Sequence, residues 1–96
     1  MIKHIVSYKL AEGRSMEDVL KLKADVESLR NIIDDIVSIE VKIELLSSST
    51  ASAILISKFR DEAALERYQK HPEHMKVAQF VKGVFESRLC VDYIEE

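Results

Sequence analysis

The segment from Val37 to Leu46 alternates between apolar and polar residues more regularly than any other part of the chain. Its apolar members occupy every second position: Val37, Ile39, Val41, Ile43 and Leu45. Successive side chains of a strand point to opposite faces, so this pattern predicts a long strand with one buried and one exposed face. Such a strand needs neighbours in a sheet and a second layer to cover its apolar side.

Three further segments have the composition or the alternation of strands: Ile2–Leu10, Ala53–Phe59 and Phe85–Tyr93. The Ala53–Phe59 segment is apolar on both sides, which predicts a central strand. Its short polar connection to the preceding strand, Ser47–Thr50, predicts an antiparallel hairpin. In the last segment the parity places Phe85 on one face with Leu89, Val91 and Tyr93, and Arg88, Cys90 and Asp92 on the other.

Two helical regions separate these strands. Ser15 is placed to cap a first helix, whose apolar residues recur every three or four positions: Val19, Leu22, Val26, Leu29 and Ile33. Asp61 predicts the N-cap of a second helix that reaches about Lys70. Pro72 then interrupts it, with His71 near the cap of a further helical segment that runs through Gly83, because proline is tolerated at the start of a helix.

The resulting order, βαββαβ, predicts an α+β protein with a ferredoxin-like fold: a four-stranded antiparallel sheet with both helices on one face. The other face would remain too apolar to stay in water, so we expect a homodimer in which two sheets pack face to face. Two such sheets form a dimeric α/β barrel with room for a small ligand. We expect His4, Val6 and Tyr8 to point into that barrel.

Length and composition narrow the class of protein. The 96 residues fit one domain spanning residues 1–96. Fourteen Lys and Arg against 17 Asp and Glu give a net charge of -3 without a basic block, which argues against nucleic acid as a partner. No signal-peptide core or membrane-length apolar run is present, so we expect a cytoplasmic protein with no membrane partner.

Cofactor and metal chemistry find little support in the sequence. It has no glycine-rich phosphate loop, nucleophile elbow or paired-carboxylate motif, and we expect no cofactor. His71, Glu73 and His74 offer three potential ligands within four residues, but Pro72 distorts their spacing and no further ligand is evident, so we predict no metal site. Cys90 has no partner for an internal disulfide and is predicted to be a buried structural thiol.

The segment Tyr68–His74 carries the groups best suited to proton transfer. Imidazoles titrate near neutral pH and a phenol can donate or accept a hydrogen bond. His74 could therefore remove a proton next to a carbonyl while Tyr68 donates to the developing oxyanion. Alternatively, His71 caps the helix, Pro72 sets its start and His74 bonds to the backbone to lock the break.

Three separated motifs resemble the stress-responsive dimeric α/β-barrel (Dabb) family: Ile2–Val6, Phe59–His74 with its His-Pro-x-His pattern, and Val91–Tyr93. The resemblance covers essentially the whole chain and implies the same fold and dimer. Most members of the family have no assigned reaction. One branch consists of polyketide cyclases that use a tyrosine and the second histidine of the motif.

The resemblance to that branch implies catalytic roles for Tyr68 and His74, and a cavity lined by His4, Val6, Tyr8 and Phe85. The chain departs from the branch at Phe85, where the branch has a tryptophan, and at Ala53, where it has another cavity histidine. No substrate is implied.

Three functions remain as hypotheses. The first is binding of a small apolar or amphipathic molecule in an internal pocket, or a stress-related role without turnover. The second is a cofactor-independent cyclase-like lyase with His74 as base and Tyr68 as oxyanion donor. The third is a structural interaction domain whose barrel is filled by side chains.

Overall fold

The computed structural model describes residues 1–96 and contains four strands and three α-helices. In chain order they are β1 (Ile2–Leu10), α1 (Met16–Ser28), β2 (Ile36–Lys42), β3 (Ala53–Phe59), α2 (Glu62–Lys70), α3 (Pro72–Val84) and β4 (Phe85–Ile94), with a 3₁₀ turn at Leu29–Asn31. All neighbouring strands are antiparallel, in the order β2-β3-β1-β4. The predicted ferredoxin-like fold is confirmed.

The helices begin at the residues that the sequence indicated. The Asp61 carboxylate accepts a hydrogen bond from the Ala64 N–H (2.8 Å), satisfying a donor that a helix start leaves free. His71 is the N-cap of α3, and its Nδ1 accepts from the Glu73 N–H (3.1 Å). Pro72 occupies the first turn of α3, so α2 and α3 meet at a break rather than forming one rod. None of the helices is both long and apolar enough to cross a bilayer.

His4, Val6 and Tyr8 lie on the face of the sheet that the helices cover, which is opposite to the face predicted for them. These three β1 residues are buried, and Val6 and Tyr8 pack in one apolar cluster with Val19 and Leu22 of α1. They therefore face the helix layer of their own chain, and the expectation that they point into a barrel between two sheets is wrong. The alternation of β1 separates its residues into two faces, but it does not predict which face the helices cover, because both faces carry apolar residues.

Two irregularities shift side chains between faces. The β1–β4 register changes between Lys9 and Leu10, so that Leu10 pairs with Phe85. Phe85 consequently joins the buried cluster under the helices, while Leu89 on the same strand is exposed, and the prediction that they share a face is wrong. A similar shift in β2 buries Ile36.

Strand β2 is shorter than its alternation suggested, because it ends at Lys42 although the pattern continues to Leu45. Its partner β3 does not extend that far: Lys42 pairs with Ile54, next to the first residue of β3. Without a neighbour to bond, the alternating residues beyond Lys42 form no ladder.

The uncovered face of the sheet is rich in apolar residues on three of its four strands, β3, β1 and β4: Ile5, Ile54, Ile56, Leu89, Val91 and Tyr93. The three on β4 are between 47% and 72% exposed. The register places Ile5 opposite both Ile56 and Val91, so the residues form one continuous patch across the strands.

Candidate functional site

A cavity of about 230 Å³ lies between the helices and the sheet, inside a single chain. Its lining comes from β1, α1, α2, α3 and β4: Tyr8, Val26, Tyr68, Gln69, His74, Val77, Ala78, Val81, Lys82 and Arg88. Aliphatic side chains of α1 and α3 form one wall, and the two tyrosines and the imidazole add polar groups. A larger hollow of about 310 Å³ lies along α1 and α3, and none of the six predicted site residues lines it.

The break between α2 and α3 brings Tyr68 and His74 together. Their ring centroids are 4.5 Å apart, with the planes inclined at 53°. Tyr68 is only 1% exposed, and its ring is also in contact with Phe59 at 4.8 Å. Because Tyr68 lies in the last turns of α2 and His74 in the first turn of α3, Pro72 determines how these two rings meet.

A single hydrogen bond determines which nitrogen of His74 is available. Its Nδ1 lies 3.0 Å from the carbonyl oxygen of Gln69. A carbonyl can only accept, so Nδ1 must carry the proton and, in the neutral ring, Nε2 keeps its lone pair. The contact that ties α3 back to α2 therefore also prepares Nε2 as a base. This hydrogen bond is compatible with both interpretations of His74, because it joins α3 to α2 through Nδ1 and leaves Nε2 able to accept a proton.

Burial in the cavity lowers the pKa of the imidazole and raises the pKa of both phenols, so that one group is a neutral base and the others are protonated donors. Burial lowers the pKa of His74, against the raising effect of the Gln69 hydrogen bond, and the nearby His4 and Arg88 add to the lowering. Burial raises the pKa of Tyr68 and brings that of Tyr8 to about 12. At neutral pH the imidazole is thus a neutral base and both phenols keep their protons.

The tyrosine hydroxyls are free to bond a ligand. Neither Tyr8 nor Tyr68 makes a side-chain hydrogen bond within the chain, and no buried side-chain oxygen or nitrogen lacks a partner. The two hydroxyls must therefore reach accessible space, which the cavity provides.

The other predicted lining residues lie next to the cavity rather than on its wall. Val6 belongs to the apolar core beneath it, and the Phe85 ring packs on Tyr8 with centroids 5.5 Å apart. His4 is 1% exposed and presents its ring edge to Tyr68 at 6.1 Å. Of the six residues named from the sequence, the cavity wall itself contains Tyr8, Tyr68 and His74.

Strand β4 contributes polar groups that received no role from the sequence. Arg88 lines the cavity, and Asp92 receives a hydrogen bond from Nδ1 of His4. The signal was present, since Arg88, Cys90 and Asp92 share one parity. Assigning them to the helix side required the β1–β4 register, which pairs Tyr8 with Arg88 and His4 with Asp92.

Cys90 is exposed, and the prediction that it is a buried structural thiol is therefore wrong. Strand β4 lies at the edge of the sheet, where the helices do not cover its outer residues. Partial burial and the neighbouring Asp92 carboxylate raise the pKa of the Cys90 thiol, which disfavours a free nucleophilic thiolate.

His71, Glu73 and His74 do not bring three ligand atoms within 4.8 Å of one another. Nδ1 of His71 accepts from the Glu73 N–H, and Nδ1 of His74 is bonded to Gln69. The chain's one close set of three ligand-type side chains is His4, Cys90 and Asp92.

Comparison with known proteins identifies relatives over the full chain. The family model described as the stress responsive A/B barrel domain matches residues 2–95. The stress-response A/B barrel domain-containing protein DABB1 of Arabidopsis thaliana is 28% identical over an alignment 106 residues long, gaps included. The alignment covers 100% of this chain and 48% of that protein. The chain thus spans about half the length of this curated relative.

Two solved structures illustrate the likeness of fold. A dimeric protein of unknown function with a ferredoxin-like fold from Bacteroides fragilis is 33% identical, with a TM-score of 0.84 over 96% of this chain and 93% of that one. A hydroxynitrile lyase from Passiflora edulis has a TM-score of 0.86 at 18% identity, over 99% of this chain and 93% of that one. At that identity the lyase shares the fold.

Proposed function

The chain belongs to the stress responsive A/B barrel domain family, and we propose that it binds a small amphipathic molecule in the cavity lined by Tyr8, Tyr68 and His74. The observation that carries this proposal is the combination of an aliphatic wall with two unpaired phenol hydroxyls in one cavity that is partly open to solvent. An apolar body would contact Val26, Val77 and Val81, while a carbonyl or hydroxyl head bonds the tyrosines.

Size and charge restrict the ligand further. The cavity, at about 230 Å³, is smaller than the roughly 300–1,000 Å³ of pockets for drug-sized ligands, so the occupant is small. Lys82 and Arg88 also line the cavity, and both side chains are largely exposed. They would attract a carboxylate or phenolate head group from solution.

Filling the cavity tests the binding proposal. Ala78→Phe places a ring in the cavity, whereas Ala24→Phe makes the same change at an exposed position of α1. With alkylphenols and medium-chain fatty acids as probes in calorimetric titrations, we expect saturable binding to the unmodified chain and to Ala24→Phe, and at least about tenfold weaker binding to Ala78→Phe. Equal affinities in all three proteins would place the probes elsewhere and refute the proposal.

A second function, cleavage or formation of a carbon–carbon bond without a cofactor, is favoured by the geometry of the two rings. Nε2 of His74 would remove a proton from the carbon next to a carbonyl, and the electron pair would move onto the carbonyl oxygen. Tyr68 would donate a hydrogen bond to that oxygen. The resulting enolate would attack a second carbonyl to form a ring, and the alkoxide formed there would take up the proton held by His74; the reverse sequence would cleave the bond. The fold shared with a hydroxynitrile lyase is consistent with this chemistry.

His4 and Phe85 have supporting roles in this proposal. The His4 ring edge lies against Tyr68, and Phe85 lies against Tyr8, so each holds one phenol in place. Val6 supplies apolar packing beneath the cavity.

Proton abstraction can be tested without knowing the natural substrate. The experiment uses a small ketone bound to the protein in heavy water. NMR follows the rate at which deuterium enters the carbon next to the carbonyl, and this rate measures proton abstraction by the base. We expect His74→Gln to reduce the protein-catalysed rate by about 100-fold or more, the scale of general-base catalysis. His71→Gln, whose imidazole caps α3, should retain the rate. If both variants exchange as fast as the unmodified chain, His74 is not a base.

The chain also presents a surface for self-association, and we infer a homodimer formed by the uncovered sheet face. Its apolar residues on β3, β1 and β4 are contiguous, and Leu89, Val91 and Tyr93 are between 47% and 72% exposed; a contiguous exposed apolar patch marks an interaction site. The Bacteroides fragilis relative is described as dimeric. The ligand cavity lies on the opposite face of the sheet, so association and ligand binding occupy separate surfaces. An interaction role would therefore depend on the uncovered face and not on filling the cavity.

A further inference from the structure

Three side chains of different chemistry converge at the β1–β4 edge of the sheet. Cys90 and Asp92 are two residues apart on β4 and project from the same face, towards His4 of β1. His4 is 1% exposed, whereas Cys90 and Asp92 are exposed. The cluster thus combines one rigidly packed imidazole with two groups that solvent can reach.

The spacing of this cluster is that of ligands around one ion. The Cys90 Sγ lies 3.6 Å from Nδ1 of His4 and 3.6 Å from Oδ1 of Asp92. In a tetrahedral zinc site, with Zn–S of about 2.3 Å and Zn–N of about 2.0–2.1 Å, sulfur and nitrogen are separated by about 3.5 Å. Nδ1 of His4 and Oδ1 of Asp92 are joined by a hydrogen bond. An ion bound between these two atoms would replace the proton of that bond, and the two atoms would move apart to accommodate it.

A catalytic relay does not explain the same cluster. In a Cys-His-Asp arrangement the thiol and the carboxylate contact opposite nitrogens of the imidazole, so that the base can pass a proton between them. Here both Cys90 and Asp92 approach Nδ1 of His4. Convergence of three donor atoms on one small volume is the arrangement of a metal site.

We propose that His4, Cys90 and Asp92 form a binding site for one Zn²⁺ ion, with a fourth position open to solvent or to a small ligand. Thiolate and imidazole donors favour zinc over magnesium or calcium, which prefer sets of oxygen ligands. Three protein ligands with one open position are typical of zinc sites that exchange a water or a substrate. The exposed edge strand gives the ion access.

Cobalt substitution tests the site directly. The full chain, kept in a non-thiol reductant, is titrated with Co²⁺ and then with Zn²⁺. We expect one Co²⁺ per chain, a near-ultraviolet thiolate-to-cobalt band, the visible absorption of tetrahedral cobalt, and loss of both on addition of Zn²⁺. A weak octahedral spectrum without the thiolate band would overturn the proposal.

Variants of the exposed ligands identify the residues involved. Cys90→Ser should abolish the thiolate band and weaken Zn²⁺ binding by at least about 100-fold, since loss of even an outer partner costs about 10–100-fold. Asp92→Asn should weaken binding while keeping the band, and Glu86→Gln, a carboxylate change elsewhere on β4, should alter neither. Circular dichroism verifies that each variant is folded. Unchanged zinc affinity in Cys90→Ser would place the ion elsewhere and overturn the proposal.

Discussion

Both faces of the sheet carry aliphatic residues, and yet the two faces have different roles. The helix-covered face holds completely buried groups such as Val6, Leu55 and Phe59, together with the polar residues of the candidate site. The opposite face leaves Leu89 and Val91 72% and 57% exposed. Hydrophobicity alone therefore does not identify a core, because an apolar face becomes a core only where a second layer of structure covers it. Removing side chains from each face should therefore have different consequences.

The largest effect is expected for truncation under the helices. Phe59→Ala removes a fully buried ring that contacts Tyr68, and we expect a loss of about 3–5 kcal/mol in the free energy of unfolding. Leu89→Ala, made on the open face and measured in a monomeric background, should change it by no more than about 0.5 kcal/mol. Urea denaturation provides both values. Similar losses at the two sites would break the comparison.

A charge on the open face should act on association instead of folding. Val91→Lys places an ammonium on the β4 part of the apolar patch, next to Ile5, and the cost of burying an unpaired charge, about 3–5 kcal/mol, should weaken the dimer by about 100-fold or more. Sedimentation should show a change from about twice 11.0 kDa to 11.0 kDa.

The matched change Gln79→Lys, at an exposed position of α3, should leave the sedimenting mass unaltered. A Val91→Lys protein that sediments like the unmodified chain would remove the open face as the dimer surface. A monomeric unmodified chain at micromolar concentration would do the same.

The smallest effect concerns pH and the helix-covered face. Because the pKa of His74 is lower in the folded chain than its ordinary value of 6.5, the unfolded chain takes up the proton more readily. The folded state should therefore lose stability as pH falls through 6.5 towards the lower folded pKa, and keep it above 6.5. His74→Gln should flatten this dependence in denaturation measured between pH 5 and 8. An unchanged slope in His74→Gln would show that burial does not disfavour the charged imidazole.

Local patterns were sufficient for the elements of the fold. Alternation located β1 and a run apolar on both sides located β3, each at its observed bounds, and Asp61 and His71 cap helices as their side-chain chemistry indicates. Capping and alternation depend on neighbours within a few residues, so a single sequence contains them. The break at Pro72, with Tyr68 before it and His74 after it, follows from the same local rules.

The candidate site depended on contacts between distant residues. The sequence named Tyr68 and His74, but Gln69 gained its role only from the turn that brings its carbonyl to Nδ1 of His74. Asp92 and Cys90 meet His4 across 88 and 86 residues of chain. A register shift at Leu10 decides where Phe85 points, and no local pattern announces such a shift.

The amino-acid sequence alone is enough to predict the order of strands and helices, the helix break, and the base and phenol candidates, because each arises from interactions along a short stretch of chain. Which sheet face the helices cover is visible only in the folded chain, and this choice places the cavity within one chain and leaves the other apolar face uncovered. Both faces are apolar enough to be buried, so the choice depends on how the helices pack across the sheet, an interaction between residues far apart in the sequence.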